Sequence, residues 1–251
     1  PVATMPARTG APAPTAAVAQ VPLVTPVPGP VPTLPAIVAE AVAAAPAPGA
    51  IDPAAGELPT ARELANGMIA ALDRAKTARL AAALSTGHHT DLMFVAPDRA
   101  SLVEVDANGQ EYARYIIIGN TGYVYDSRGG TGWRPNVNEG YRKQTQIFRP
   151  MQIALATGEP RVLPSGDEVE WVEENGKPAL RAVFEYGSSA ELQELGLMRS
   201  SGNLLEVIVD PATWLPIRTR EETVTGGPEK AVTEVRFLSF DEPLTVNPPT
   251  P

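Results

Sequence analysis

The side chains that could do chemistry in this sequence are few and poorly spaced. His88 and His89 are its only histidines. Neighbouring strand residues point to opposite faces, so this pair would chelate a metal poorly. Zinc sites need further Cys, His or carboxylate ligands, and the chain has no cysteine. A serine nucleophile needs a histidine base close by, and neither histidine lies in a recognisable triad context. We therefore predict no catalytic residue, no metal and no cofactor.

Two other polar features are predicted to be structural. The Gly-rich stretch SRGGTGW (127–133) lacks the GxGxxG or Lys-Ser/Thr pattern of phosphate loops, and strand-like sequence follows it. It is predicted to be a flexible hairpin tip. The acidic pairs Glu173-Glu174 and Glu221-Glu222 alternate across strand faces and are predicted to be solvated.

Large apolar side chains are the remaining candidates for a functional site. An apolar cavity lined by such side chains binds apolar ligands, whereas the simpler alternative is that they fill a close-packed core. The candidate cavity-lining residues are Phe94, Ile117, Tyr123, Tyr125, Trp171, Phe184, Trp214, Val235 and Phe237.

The elements that position these side chains begin at Thr60. TARE (60–63) has the form of a capping box, and apolar residues from Leu64 to Ala75 recur at helical spacing. The continuation TARLAAALST fits either more helix or a first strand. From His89 the apolar period becomes two, and turn sequences separate strands at regular intervals.

The second half of the domain predicts a helical cover and further strands. A helix is expected from Pro150, since proline suits a first helical position. A hairpin follows with Asn175-Gly176 at its turn, then a short helix or lid (189–198) and three closing strands. Consecutive antiparallel strands with one apolar face predict a curved sheet whose apolar face is covered by helices.

The N-terminal part, residues 1–58, differs in composition from the domain at 59–251. Fourteen of the 27 prolines fall in the first 59 residues, which predicts an extended polyproline II arm or linker. The alternative is an arm held against a partner, with a short helix at LPAIVAEAVAAA (34–45).

Composition excludes two classes of protein. The 251-residue chain carries a formal net charge of −9, so it lacks the basic face that nucleic-acid binding requires. It also lacks an apolar run long enough to span a bilayer as a helix. Because the sequence starts PVATMP, we expect a processed chain that has lost an export signal. A lipidated cysteine upstream of Pro1 would tether it to a membrane.

The order of elements and four local motifs resemble the LolA/LprG/LppX superfamily of extracytoplasmic lipoprotein and lipid carriers. The matching stretches are FVAPDRASLVEV (94–105), YIIIGNTGYVYDSRGGTGW (115–133), VIVDPATWLPIRTREE (207–222) and TEVRFLSFDEPLTVNPP (233–249). The resemblance covers about residues 60–247. It implies an α+β fold in which an incomplete antiparallel β-barrel wraps around helices, and it implies carriage of acyl chains without cofactor or covalent chemistry.

The resulting hypothesis is a non-enzymatic extracytoplasmic domain that binds a lipid, an acyl chain or a lipoprotein in an apolar cavity. Release would require a helix or the 188–202 segment to move, as lids do. The alternative is a structural or accessory subunit of a membrane-associated or cell-surface assembly, with arm 1–58 docked on other envelope proteins. A hydrolase without a recognisable nucleophile is a third alternative.

Overall fold

The strands of this protein form one long antiparallel meander that curves around its helices. A computed structural model describes residues 49, 51, 57–126, 132–137, 146–195, 202–224 and 230–249. Arm 1–58, apart from residues 49, 51, 57 and 58, lies outside this range, as do the helix predicted at 34–45 and most of the Gly-rich stretch at 127–133. Those interpretations remain predictions.

The described part of the chain contains three helices and twelve strands. The helices are α1 (Ala61–Arg74), α2 (Arg149–Thr157) and α3 (Ala190–Glu194). The strands are β1 (Thr77–Leu84), β2 (His89–Val95), β3 (Arg99–Val105), β4 (Glu111–Ile118), β5 (Thr121–Asp126), β6 (Arg134–Val137), β7 (Glu159–Pro160), β8 (Val169–Glu174), β9 (Lys177–Tyr186), β10 (Asn203–Val209), β11 (Pro216–Val224) and β12 (Lys230–Phe240).

All twelve strands belong to one sheet that does not close. Its order is β6-β5-β4-β3-β2-β1-β12-β11-β10-β9-β7, and β8 also pairs with β9. Each pairing is antiparallel, and β1 joins the first half of the meander to the last strand, β12. This arrangement confirms the predicted α+β class with a curved, incomplete barrel.

Helix α1 starts at the capping box that the sequence predicts. The Thr60 hydroxyl accepts a hydrogen bond from the Glu63 amide, and the Glu63 carboxylate accepts one from the Thr60 amide. The bond from the Thr60 amide holds the pKa of Glu63 below its usual value. The buried face of α1 includes Leu64, Met68 and Leu72. These residues belong to one apolar core together with α2 and the concave face of the sheet.

The ambiguous stretch TARLAAALST forms a strand. After α1 the backbone becomes extended at Ala75, and β1 starts at Thr77 between β2 and β12. Its alanines have strong helix propensity. Pairing on both sides overrides that preference, because a central strand satisfies its backbone groups through two neighbours.

Arg62 links the start of α1 to the end of α2. Its guanidinium donates hydrogen bonds to the carbonyl oxygens of Leu155 (3.0 Å), Ala156 (3.1 Å) and Gly158 (2.9 Å). The last carbonyls of a helix have no partner within the helix, and a cation near them is also favoured by the helix dipole. Arg62 therefore fixes α2 to α1 and thereby sets the position of α2 over the sheet.

We predict that Arg62→Met lowers the free energy of unfolding by about 2 kcal/mol, because it removes charge-assisted bonds from carbonyls at the end of a helix. Chemical denaturation measures the effect. Arg79→Met, an exposed arginine on β1, is the matched control and should change stability little. Equal effects of the two substitutions would contradict the role assigned to Arg62.

The hairpin between β8 and β9 has the predicted turn. Asn175 and Gly176 both have positive φ, 54° and 75°, as the type I′ turn requires. The turn fixes the register in which Trp171 lies opposite Leu180 and Val169 lies opposite Ala182.

The corner between β10 and β11 holds Trp214 against helix α1. The Asp210 carboxylate accepts a hydrogen bond from the Ala212 amide, as expected for an Asp-Pro turn, and Trp214 takes a positive φ of 62°. A Cβ atom added to Gly67 would lie 2.8 Å from Cδ2 and 2.9 Å from Cζ3 of Trp214. Gly67 therefore makes the space that the indole occupies.

The contact between Gly67 and Trp214 predicts that Gly67→Ala changes stability in opposite directions in the wild-type chain and in a Trp214→Ala chain. Gly67→Ala should destabilise the wild-type chain by about 2 kcal/mol, because the added methyl group overpacks the core. In a Trp214→Ala background the same substitution should stabilise it by about 1 kcal/mol, since alanine is the better helix former. Denaturation of the four proteins in this cycle measures both values. If Gly67→Ala changes stability in the same direction in both backgrounds, contact with the indole is not the cause of the destabilisation.

Candidate functional site

A cavity lies between the concave face of the sheet and the helices α2 and α3. Its volume is about 280 Å³. The sheet contributes residues from β1, β2 and β9–β12, and the cover contributes residues from α2, its preceding turn and α3. The lining residues are Leu80, Leu92, Ile147, Phe148, Pro150, Met151, Ala154, Tyr186, Leu192, Leu205, Thr219, Glu221, Thr233, Val235 and Phe237.

One end of the cavity is aromatic. The ring of Phe148 lies 5.4 Å from Phe94, 6.4 Å from Phe237 and 6.2 Å from Phe240, measured between ring centroids. Phe237 and Phe240 stack at 5.5 Å. Aromatic clusters of this kind are rigid and apolar, so this end offers a surface for hydrocarbon.

The other end of the cavity is polar. The phenol of Tyr186, at the end of β9, donates a hydrogen bond to Oε1 of Glu221 on β11. The two strands flank β10, so this bond crosses above it. Glu221 lies in register with Leu205 on β10 and with Thr233 on β12, and all three residues line the cavity.

The inward position of Glu221 corrects the prediction that the pair Glu221-Glu222 is solvated. Glu222 behaves as predicted: it faces outward, forms ion pairs with Arg220 and Lys230, and the hydrogen bond from Lys230 lowers its pKa. Because strand residues alternate between faces, Glu221 must then point to the face that carries Thr219. That face lines the cavity.

Charged residues on the outer face pair with one another. Arg181 contacts Glu170 at 2.6 Å and Glu206 at 2.7 Å, and Arg218 lies within 4 Å of Glu174. The partners of Arg181 come from β8 and β10, the neighbours of β9, as cross-strand pairs do, whereas Arg218 on β11 reaches Glu174 on the non-adjacent strand β8. The outer face of β8–β12 is thus wet and ion-paired, whereas the inner face is mostly apolar.

Of the predicted cavity-lining residues, Val235 and Phe237 line the cavity. Phe94 lies behind its aromatic end, against Phe148. Phe184 is fully buried on β9 in the shared core, and Trp214 occupies the corner beside Gly67.

The other predicted residues lie elsewhere on the sheet. Ile117 is fully buried on β4, and Trp171 on β8 packs against the core. Tyr123 and Tyr125 belong to β5, and the ring of Tyr125 contacts that of Trp133 at a centroid distance of 5.6 Å. A ligand-binding role for these residues remains a prediction.

The lining residues that the sequence did not indicate belong to the cover, to the polar end and to strands β1 and β2. Met151 and Ala154 of α2, Leu192 of α3, and Tyr186 with Glu221 are the main ones. The alternation of strand residues could have identified part of the polar end, because it places Glu221 on the same face as Thr219. For α2 and α3, sequence patterns identify an apolar side but not the gap beneath it.

The histidines do not form part of the cavity lining. His88 packs edge-on against Tyr112, with ring centroids 6.0 Å apart. Within the described ranges, no three His, Asp or Glu side chains come together in a way that could hold a metal ion. None of the helices seen in the described residues is long and apolar enough to cross a membrane.

The sequence matches no protein-family model and no curated protein at a significant level. Solved structures that share its architecture include the following two. Lipoprotein LppX of Mycobacterium tuberculosis aligns with a TM-score of 0.53 at 13% identity, over 78% of this chain and 100% of LppX. LprF of Mycobacterium bovis aligns with a TM-score of 0.54 at 10% identity, over 81% of this chain and 100% of LprF. At these identities the likeness concerns the fold alone, and it confirms that the chain has a LolA/LprG/LppX-like fold.

Proposed function

We propose that this protein is a non-enzymatic domain that binds a lipid or an acyl chain in the cavity beneath α2 and α3. The observation that carries the proposal is the apolar gap of about 280 Å³ between a curved sheet and a partial helical cover. Ligand pockets usually enclose about 300–1,000 Å³. The gap lies just below the lower end of that range and suits a single hydrocarbon segment.

Burial of hydrocarbon supplies the binding energy in this proposal. Each methylene moved from water into an apolar site contributes about 0.8 kcal/mol. Leu80, Leu92 and Val235 offer aliphatic contacts, while Phe148 and Phe237 close the aromatic end. Such a site needs no cofactor and no covalent step.

The proposed location is outside the cytoplasm, with membrane association through a tether rather than a spanning helix. The fold supports this proposal because LppX, which shares it, is a lipoprotein by name. The acidic net charge of −9 disfavours nucleic acid as a partner. Tethering would come from lipidation upstream of Pro1.

Helix α3 is the element that we assign as the lid. It has only five residues, and Leu192 is its one buried residue. The Ser189 hydroxyl caps it by accepting a hydrogen bond from the Leu192 amide at 3.2 Å. A short element with one buried side chain opens at lower cost than the rest of the cover.

Filling the cavity should abolish binding. Ala154 of α2 lines it, so Ala154→Phe would place a ring in the space that the chain needs. Native mass spectrometry of wild-type protein should show a co-purified lipid or acyl chain, and the Ala154→Phe protein should lack it.

The matched control for this experiment is Ala156→Phe, because Ala156 is exposed on the same helix. It should keep the ligand. Melting temperatures of both variants separate lost binding from lost folding. Absence of any bound chain in the wild-type protein, together with failure to bind added fatty acid or alcohol, would contradict the proposed function.

The lid can be tested with single cysteines, since the native chain has none. Leu192→Cys should react slowly with a thiol reagent, because its side chain is buried, and more slowly still when a ligand is bound. The neighbouring control Gln193→Cys is exposed and should react fast in both states. Equal reaction rates at the two positions would show that α3 does not cover the cavity.

A second candidate function is that of an accessory subunit in an envelope assembly. It is favoured by two hydrogen bonds that hold residues 49 and 51 against the corner between β10 and β11. The Trp214 indole donates a hydrogen bond to the Gly49 carbonyl (3.2 Å), and the Ile51 amide donates one to the Pro211 carbonyl (3.0 Å). In this candidate the arm would dock on partner chains, and a chain lacking residues 1–48 would lose those partners while remaining folded.

A further inference from the structure

We propose that the cavity is a pocket closed at one end that limits the length of the bound chain, and that Phe94, Ala78 and Phe240 form its floor row. The ligand class is an amphiphile with one hydrocarbon chain of about ten to twelve carbons, whose tail enters first and whose polar group stays at the rim. This inference rests on the proposed function, because it assumes that the cavity holds a hydrocarbon chain.

The first argument is the register of β1 with its two neighbours. Ala78 of β1 pairs with Phe94 of β2 and with Phe240 of β12. The next inward residue of β1 is Leu80, and both it and the two residues paired with it line the cavity. The three residues of the floor row do not line it. The cavity therefore ends between these two rows.

The second argument is that aromatic rings close this end. The ring of Phe148, just before α2, lies 5.4 Å from that of Phe94 and 6.2 Å from that of Phe240, measured between centroids. A register shift between β1 and β12 leaves Leu238 without a partner on β1, and a bulge of this kind changes which side chains face inward. Ala78, between the rings, is 0% exposed, so solvent does not reach the floor row.

The third argument is that the opposite end of the cavity is open. Inward residues of β1 become more exposed with distance from the floor row: Ala78 is 0% exposed, Leu80 8% and Leu84 41%. Leu84 pairs with Thr233, which lines the cavity. The connection from β9 to β10, which contains α3, is at this same end of the sheet. A chain that enters beneath α3 thus has its tail directed toward the floor row.

Two separate measures give the same chain length. Because an apolar cavity of about 150 Å³ holds the six carbons of benzene, a volume of about 280 Å³ corresponds to about eleven carbons. The step from Leu80 to Leu84 covers about 13 Å along a strand. An extended chain advances about 1.2 Å per bond, so this depth also takes about eleven carbons.

The experiment measures affinity against chain length with alkyl maltosides of six to sixteen carbons, each below its aggregation limit. The sugar is too large for the cavity, so the tail must enter first. Displacement of a fluorescent acyl probe gives the affinities. For the wild-type protein, each added carbon should tighten binding about fourfold, as burial of one methylene does. Beyond about eleven carbons the affinity should become constant, because further methylenes stay in water.

Removing a ring from the floor row should lengthen the pocket. Phe94→Ala opens one further row of the sheet, about 6.6 Å along the strand, so the affinity should keep rising for about five more carbons. Met93→Ala is the matched control. Met93 is the neighbouring residue on β2, and it pairs with the exposed Arg79 on the outer face. It should leave the length limit unchanged.

A second variant tests the limit in the opposite direction. Val235 lines the cavity between the floor row and the rim, so Val235→Phe should lower the length limit by about two carbons. Val232→Phe, on the outer face of the same strand beside Glu222, should not change it. If Phe94→Ala does not fold, this pair decides the matter.

The outcomes separate the proposed function from the length limit. If no maltoside displaces the probe or binds directly, the proposed function fails and the inference fails with it. If affinity rises steadily up to sixteen carbons, or does not depend on length, binding of a chain stands and the length limit is wrong. A limit that stays the same in Phe94→Ala and in Val235→Phe would overturn the assignment of the floor row.

Discussion

The concave apolar face of the sheet must be shielded from water, and the rest of the structure depends on how this is done. Strands twist and an open twelve-stranded sheet curves, so its inner face surrounds more space than a flat sheet would. Helix α1 fills part of that space, and Arg62 ties α2 to it through three carbonyl oxygens. The cover is therefore fixed at α1 and α2 and thin at α3, and the cavity lies beneath α2 and α3.

Period-two alternation gives the closing strands two different faces. Outward residues such as Arg181, Arg218 and Glu234 form cross-strand pairs at a wet surface, where each pair contributes little to stability. Inward residues are mostly apolar and belong to the core. Glu221 is an exception to this division, because it is inward and acidic. Residues that break a local rule of this kind are expected where function requires it, and Glu221 lies in the lining of the cavity.

Local signals in the sequence predicted most of the fold. The capping box at Thr60, the Asn175-Gly176 turn and the Asp210-Pro211 corner each determine a short piece of backbone through its own hydrogen bonds or φ values. Strand β1 was ambiguous because its alanines favour helix, and only pairing with β2 and β12 decides its conformation. The close packing of Gly67 on Trp214 was likewise invisible, since it joins residues that lie 147 positions apart.

The cavity was predicted only in outline for a related reason. Val235 and Phe237 line it, but Phe184 and Ile117 look the same in sequence and are fully buried in packed core. Apolar character tells which face a residue takes, whereas a gap depends on how well helices α2 and α3 fit that face. How closely a helix packs on a sheet depends on distances in the tertiary structure, and no local sequence pattern determines those distances.

The uneven strength of the cover connects the fold to the proposed carriage. Helix α1 buries seven residues and α2 buries four, whereas α3 buries Leu192 alone. Since the cost of local opening scales with the apolar area exposed, α3 can move away while α1, α2 and the corner at Trp214 stay in place. A chain that enters at α3 would meet Leu192 and Tyr186 near the opening. Its hydrocarbon would then reach the aromatic end beside Phe148.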